Sequence, residues 1–180
     1  MPRNDRTLNM ERIKLTLSIL LIIIISYGQE ISYGQKECSC EALLKTNGIH
    51  KVYADTFTNS KVVYELNNDT IKENYFIIII YQINNNWAEI SAYSPNEEIQ
   101  QKGWIQLFNI GILTSDYPIL FDKPNKNSSF IMIKNYDYNY LDIIDCKNNW
   151  LKVKYLDKVN IYRGWLPPDN QCANPYTTCN

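Results

Sequence analysis

The sequence predicts an all-β protein made from one small unit used twice, behind an amino-terminal export segment. Three observations predict it. A tryptophan motif occurs in two copies: Asn85-Asn86-Trp87-Ala88-Glu89-Ile90 followed by Lys102-Gly103-Trp104-Ile105, and Asn148-Asn149-Trp150-Leu151-Lys152-Val153 followed by Arg163-Gly164-Trp165-Leu166. Trp87 and Trp150 are 63 residues apart, Gly103 and Gly164 are 61 apart, and the chain's 4 tryptophans all lie in these copies. A period near 60 is too long for a solenoid turn and suits a small domain built twice. The composition agrees: 14 tyrosines, abundant asparagine and only 6 glycines in 180 residues suggest strands joined by polar turns.

Each copy reads as a β-hairpin. Trp150, Lys152 and Lys154 alternate with Leu151, Val153 and Tyr155, the period of a strand with two different faces. Asn-Asn before each first tryptophan suits a turn, because asparagine tolerates left-handed backbone. Asp157-Lys158-Val159-Asn160 then returns the chain to Tyr162-Arg163-Gly164-Trp165-Leu166. A glycine inside such a run marks a bulge or a close backbone approach, and Pro167-Pro168 ends the strand.

A strand with W-x-x-V, a loop and then G-W-[ILV] resembles the bacterial SH3-like (SH3b) domains of exported proteins. The upstream segments Val52-Tyr53-Ala54-Asp55 through Ser60-Lys61-Val62-Val63, and more loosely Ile119-Leu120-Phe121-Asp122 through Ser128-Ser129-Phe130-Ile131, fit the opening strand and loop of that family. The resemblance covers roughly residues 50–168. It implies two tandem SH3-like small barrels: residues 50–112, and residues 113–180 with a cysteine-containing tail. The tail, Gln171-Cys172-Ala173-Asn174-Pro175-Tyr176-Thr177-Thr178-Cys179, is similar to those of small exported proteins of Bacteroidetes-type bacteria.

The chain begins with a basic stretch, Arg12 and Lys14, then Leu15-Thr16-Leu17-Ser18-Ile19-Leu20-Leu21-Ile22-Ile23-Ile24-Ile25. A basic start, a short apolar run and small residues at Ser26-Tyr27-Gly28 read as a secretory signal over residues 1–28. The run is shorter than the roughly 20 residues a bilayer span needs, so no stable span is expected after cleavage. Ile-Ser-Tyr-Gly-Gln recurs at residues 31–35, so cleavage before Gln29 or before Gln35 is open, as is a start at Met1 or Met10. An uncleaved anchor is the alternative. The expected location is the periplasm or the cell exterior.

Residues 29–49 form a short lead, in which Glu41-Ala42-Leu43-Leu44-Lys45 is expected to make a helical turn or two, stopped by Asn47-Gly48. The apolar run Phe76-Ile77-Ile78-Ile79-Ile80 reads as a central strand buried on both faces, lying against residues 87–92. Tyr140-Leu141-Asp142-Ile143-Ile144-Asp145 takes its place in the second copy.

The five cysteines are Cys38, Cys40, Cys146, Cys172 and Cys179, and an exported chain should oxidise most of them. Cys172 and Cys179 could close a small loop. Alignment on the first tryptophans puts Cys146 where the first copy has Ile83, an inward position, and a Cys146–Cys172 bridge would staple the tail to the second unit. That pairing would leave Cys179 for Cys38 or Cys40. A metal held by Cys38, Cys40 and His50 is disfavoured, since one residue between the cysteines is fewer than zinc sites use.

Net charge −1 and a pI near 5.9 provide no global field for nucleic acid or acidic lipid, and neither is expected as a partner. No cofactor is expected. Catalysis is not expected either: His50 is the single histidine and reads as a surface or strand-edge residue. Glu97-Glu98 reads as a solvated hairpin tip rather than an acid pair across a cleft. The binding candidates are aromatic. Tyr136, Tyr138 and Tyr140, at period 2, would line one face of an extended segment, and Trp104 and Trp165 stand beside their glycines. The resemblance implies a non-catalytic exported module that binds a cell-wall fragment, glycan or peptide. The other reading is a structural, assembly or inhibitory protein that binds a periplasmic or secreted protein.

Overall fold

The two tryptophan hairpins are the frame on which the rest of the sheet is hung. In the computed structural model, which describes residues 38–95, 97–174 and 176, the first copy forms β4 (Ile77–Asn84), β5 (Trp87–Ser94) and β6 (Glu97–Gln106). The second forms β10 (Leu141–Lys147), β11 (Trp150–Leu156) and β12 (Ile161–Leu166). Left-handed backbone occurs at Asn85 in the first turn and at both Asn148 and Asn149 in the second. Lys147 pairs with Trp150, so the second turn has two residues, both at positive φ, which matches the right-handed twist of its strands.

The other strands are β1 (Cys40–Leu44), β2 (Gly48–Tyr53), β3 (Val62–Asn68), β7 (Ile110–Ile112), β8 (Ile119–Phe121) and β9 (Phe130–Met132). The protein is all-β. Its sheet order is β3-β2-β6-β5-β4-β1-β7-β10-β11-β12-β8-β9, every described pairing being antiparallel. Under the internal repeat, β1 to β6 correspond to β7 to β12, and the order reads the same from either edge. Where two tandem barrels in contact were expected, one hydrogen-bonded sheet runs through both copies, joined at β1 and β7. β7 pairs with β1 on one side and β10 on the other. The buried side chains likewise form one cluster, from Leu43, Ile78, Ile90 and Ile105 to Ile112, Leu120, Leu141 and Leu151.

The repeat extends to single hydrogen bonds. Ala54 N–H donates to the Lys61 carbonyl (2.8 Å), as Asp122 N–H does to Ser129 (2.9 Å). Ser60 to Phe57 and Ser128 to Asn125 are both 3.1 Å, so the two loops turn alike. The 3-10 turns Leu107–Asn109 and Pro168–Asn170 also correspond. Leu107 N–H donates to the Asn86 carbonyl (2.8 Å), but Pro168, in Leu107's place, has no N–H. The side-chain amide of Gln171 replaces it, donating to the Asn149 carbonyl (2.9 Å) and to that of Leu166 (3.2 Å).

Gly103 and Gly164 are close approaches. A β-carbon at Gly103 would lie 2.6 Å from Val52 Cγ1, and one at Gly164 would lie 2.7 Å from Leu120 Cβ and 3.0 Å from the Phe121 carbonyl oxygen. The conserved geometry of the G-W pair therefore brings the opening strand of each copy, β2 or β8, against its last.

Several expectations need correction. The segment read as a helical turn is β1: Cys40 and Ala42 are buried while Glu41 is exposed, and Cys40 to Leu43 pair with Ile80 to Ile77. A central position between β4 and β7 overrides the helix propensity of Glu-Ala-Leu-Leu. The central strand β4 pairs with β5 as expected, with Ile78 and Ile80 fully buried, but Ile77 and Ile79 keep some exposure. Glu97 and Glu98 are the first residues of β6, paired with Ser94 and Tyr93, not a free tip.

The disulfide pairing also differs. Cys146 bonds Cys38, with Cα atoms 5.8 Å apart, so it does not tie the tail. Cys146 does point inward, as its alignment with Ile83 required, and is 1% exposed. Cys38 reaches it because its N–H donates to the Tyr81 carbonyl (3.0 Å), extending the lead along β4. Cys172 is disulfide-bonded to a partner outside the described residues, which include neither Cys179 nor the expected signal. The tail is also held by backbone hydrogen bonds between Leu113 and Cys172. Tyr176 adds an edge-on ring contact with Tyr75 at 4.9 Å and a hydroxyl bond to the Thr70 carbonyl. Cys40, expected among the bridged cysteines, is a free buried thiol.

Candidate binding site

Sheet register lines up the tryptophans with other aromatic residues. In the second copy Lys152 pairs with Trp165, Trp165 with Phe121, and Phe121 with Phe130, a row across four strands. Trp150 meets Phe121 edge-on at 5.5 Å, and Lys152 Nζ lies 5.8 Å from the Trp165 ring centre. In the first copy Glu89 pairs with Trp104 and Trp104 with Tyr53, which meets Trp87 edge-on at 5.7 Å. The rows match in shape and differ in charge, since Glu89 stands where the second copy has Lys152. Trp165 is 8% exposed and Trp104 half-buried, so both spend most of their surface on cross-strand packing.

The three tyrosines do not form a stripe. Residues 136–140 are irregular, and Tyr138 has a left-handed backbone (φ 58°), which breaks the alternation. Tyr136 is buried against Tyr155 at 5.4 Å and donates to the Asn139 carbonyl (2.6 Å). Burial pushes its hydroxyl up to about 12. Tyr138 is exposed and Tyr140 half-buried. Asp137, between Tyr136 and Tyr138, accepts from the Tyr155 hydroxyl (2.7 Å), a bond that holds its carboxyl below the usual range. A hollow of about 510 Å³ beside this loop is walled by Asn135, Asp137 and the end of β11 with the turn after it, Leu156 to Lys158.

A smaller cleft, about 320 Å³, has a more specific lining. It lies where the two copies meet and draws on five segments. Lys45 follows β1, Asn85 and Asn86 form the β4–β5 turn, Phe108 belongs to the 3-10 turn after β6, and Asp142 and Lys154 lie on β10 and β11. Asp142 Oδ1 accepts from Lys45 Nζ at 2.8 Å, and Oδ2 faces Lys154 Nζ at 3.5 Å. Burial pushes the Asp142 carboxyl up, but the hydrogen bond and charge of Lys45, then those of Lys154, outweigh it and hold it below its ordinary value. Phe108 is 67% exposed on the wall of this cleft, which Leu107, Ile143 and Ile144 also line. Asp142 and Lys154 are cross-strand partners on β10 and β11, so sheet hydrogen bonds fix that part of the lining.

In this cleft both carboxylate oxygens of Asp142 face ammonium groups, and neither Cys40 nor His50 is among its lining residues. Burial pushes the Cys40 thiol up to about 12, against a weaker pull from the Ser39 backbone. Of the surface and strand-edge readings of His50 the first fails: it lies on β2 and is buried, its Nε2 2.9 Å from the Thr46 carbonyl, which also accepts from Asn68. Sequence reasoning missed the cleft residues because Lys45, the Asn85-Asn86 turn, Phe108 and the β10–β11 hairpin are far apart in the chain. One contrast was present: Phe108 stands where the second copy has Asp169. Comparison with family models, with curated proteins and with solved structures returned no match.

Proposed function

We propose that the chain is a non-catalytic, exported binding protein that takes a cell-wall fragment or related glycan in the cleft between its two copies. The observation that carries this reading is the cleft lining: an exposed ring, a turn of two asparagines and a lysine–aspartate–lysine cluster. Sugars are held in this way, with an apolar ring face on an aromatic side chain and hydroxyls on amides and charged groups. The resemblance of the tryptophan hairpins to bacterial SH3-like domains supports a wall ligand. The Cys38–Cys146 disulfide supports an oxidising compartment, as does the signal-like start.

The test is co-sedimentation of the mature protein with purified peptidoglycan sacculi. Retention on sacculi, reduced by Phe108→Ala, is the expected result; no retention would remove the reading. Intact mass should place the mature start at Gln29 or Gln35, and the full chain in the cytoplasm would contradict export. One observation favours the second reading, a protein partner: edge strand β9 exposes Phe130, Ile131 and Met132 together, a surface open to strand addition. Capture of one periplasmic protein, lost on Ile131→Lys, would favour that reading.

A further inference from the structure

The proposed cleft is unlike the aromatic rows in one respect: it is not repeated. Each copy has its G-W pair, its edge-on aromatic contact and its 3-10 turn. At the position of Phe108, however, the second copy has Asp169, whose carboxylate is engaged by Lys126 at 2.7 Å. At the repeat position of Lys154 the first copy has Ser91, whose hydroxyl bonds that of Tyr81 at 2.9 Å. Two-fold repetition therefore yields one ring-and-lysine cleft per chain.

Its charge is unbalanced as well. Lys45 and Lys154 face the single carboxylate of Asp142, so the cleft carries a net positive charge in a chain whose overall charge is −1. Lys45 is only 22% exposed, and the 3.5 Å separation leaves Lys154 less tightly held than Lys45. An ammonium has three N–H donors, and Asp142 provides one oxygen to each lysine. Lys154, 37% exposed and the less tightly held of the two, has N–H donors left for a second anion placed beside it. Asn85 and Asn86 add neutral amides, and Phe108 adds a flat apolar wall.

Resting on the binding function proposed above, we infer that the cleft selects a sugar bearing a carboxylate, at one molecule per chain. The carboxylate lies against Lys154, on the side of the ammonium that Asp142 leaves open, and the sugar ring lies on Phe108. The ligand adds to the Asp142 bridge and does not replace it.

The experiment compares N-acetylmuramic acid with N-acetylglucosamine, which lacks the lactyl carboxylate, by calorimetry and by amide NMR on the mature oxidised protein. The acid is expected to bind with a stoichiometry of one, about tenfold tighter than the neutral sugar. It should shift the Asn85, Asn86 and Phe108 signals. Lys154→Gln, at a partly exposed position, should bring the acid down to the neutral sugar's affinity, and Phe108→Ala should weaken both sugars. Equal affinities for the two sugars, a stoichiometry of two, or shifts centred on Trp104 and Trp165 would each overturn the inference. If sacculi are retained but the acid shows no preference, the inference fails and the binding reading stands. If neither sacculi nor sugars bind, both fall.

Discussion

Replacing both Cys38 and Cys146 with alanine tests how the two copies are held together. The bond closes a segment of 108 residues. On the chain-entropy model, a loop of that length costs the unfolded chain about 16 cal/mol/K, or about 4.8 kcal/mol at 25 °C. With a urea m-value of about 2 kcal/mol/M, the midpoint of unfolding should fall by about 2.4 M. Lost packing must be separated from lost cross-linking, since both sulfurs are buried. Cys40→Ala provides the calibration: it removes a buried sulfur at a comparable position with no bond, and should cost about 1 kcal/mol. Reductant on the native protein is a poorer probe, because it opens the Cys172 bond too. The measurement is urea unfolding of the native protein, the alanine pair and Cys40→Ala, followed by tryptophan fluorescence. If the alanine pair loses no more than about twice what Cys40→Ala loses, the cross-link contributes no loop entropy and the reasoning fails.

Three further outcomes are expected. Gly103→Ala and Gly164→Ala should each destabilise by about 2 kcal/mol, because the new methyl group meets a backbone carbonyl at 3.0 Å in both (Tyr53 and Phe121) and a side-chain carbon closer still (Val52 or Leu120); thermal melts of the two variants check this. Gln171→Ala leaves the Asn149 and Leu166 carbonyls without their side-chain donor and should cost about 1 kcal/mol, whereas Gln171→Glu should not restore stability, since a carboxylate cannot donate. Asp142 is held below its ordinary value near 3.8, so its pairing stabilises the fold above that value and the gain is lost as pH falls through the lower, folded value. Asp142 is partly exposed, so the gain is at most about 1 kcal/mol, and Asp142→Asn should flatten the acid limb of a stability–pH curve below pH 4.

Much of the frame was legible in the chain because it is local. Asn148-Asn149 encodes its own left-handed turn, the alternation from Trp150 to Tyr155 encodes two faces, and Gly164 marks the place where a β-carbon would collide with a neighbouring strand. What was not legible depends on partners far away in sequence. Cys40 to Leu44 carries a mixed pattern that either a helix or a strand could use, and its pairing with Ile80 to Ile77 decides it. Cys146 read correctly as inward, but its partner came from the opposite end of the chain, and no spacing rule relates them. The tyrosine stripe failed at one residue: Tyr138 adopts a left-handed conformation that few tyrosines take, and the period ends there. The cleft was the least readable feature, because Lys45, Phe108 and Asp142 become neighbours only once the two copies have joined.

The central placement of β1 and β7 has a consequence for the order of folding. Partners inside each hairpin are close in sequence, as Lys147 and Trp150 are. β1 instead finds its partners late: Cys40 pairs with Ile80, and Leu43 with Gly111. A chain that emerges amino terminus first must therefore hold β1 unpaired while β4 and then β7 are made. Pairings of such long sequence separation are slow to nucleate, so the hairpins should form early and the central seam close last. The cleft sits on that seam. Its Lys–Asp–Lys cluster cannot assemble in a half-folded chain, and binding competence should appear only in the slowest refolding phase, after tryptophan fluorescence has largely recovered.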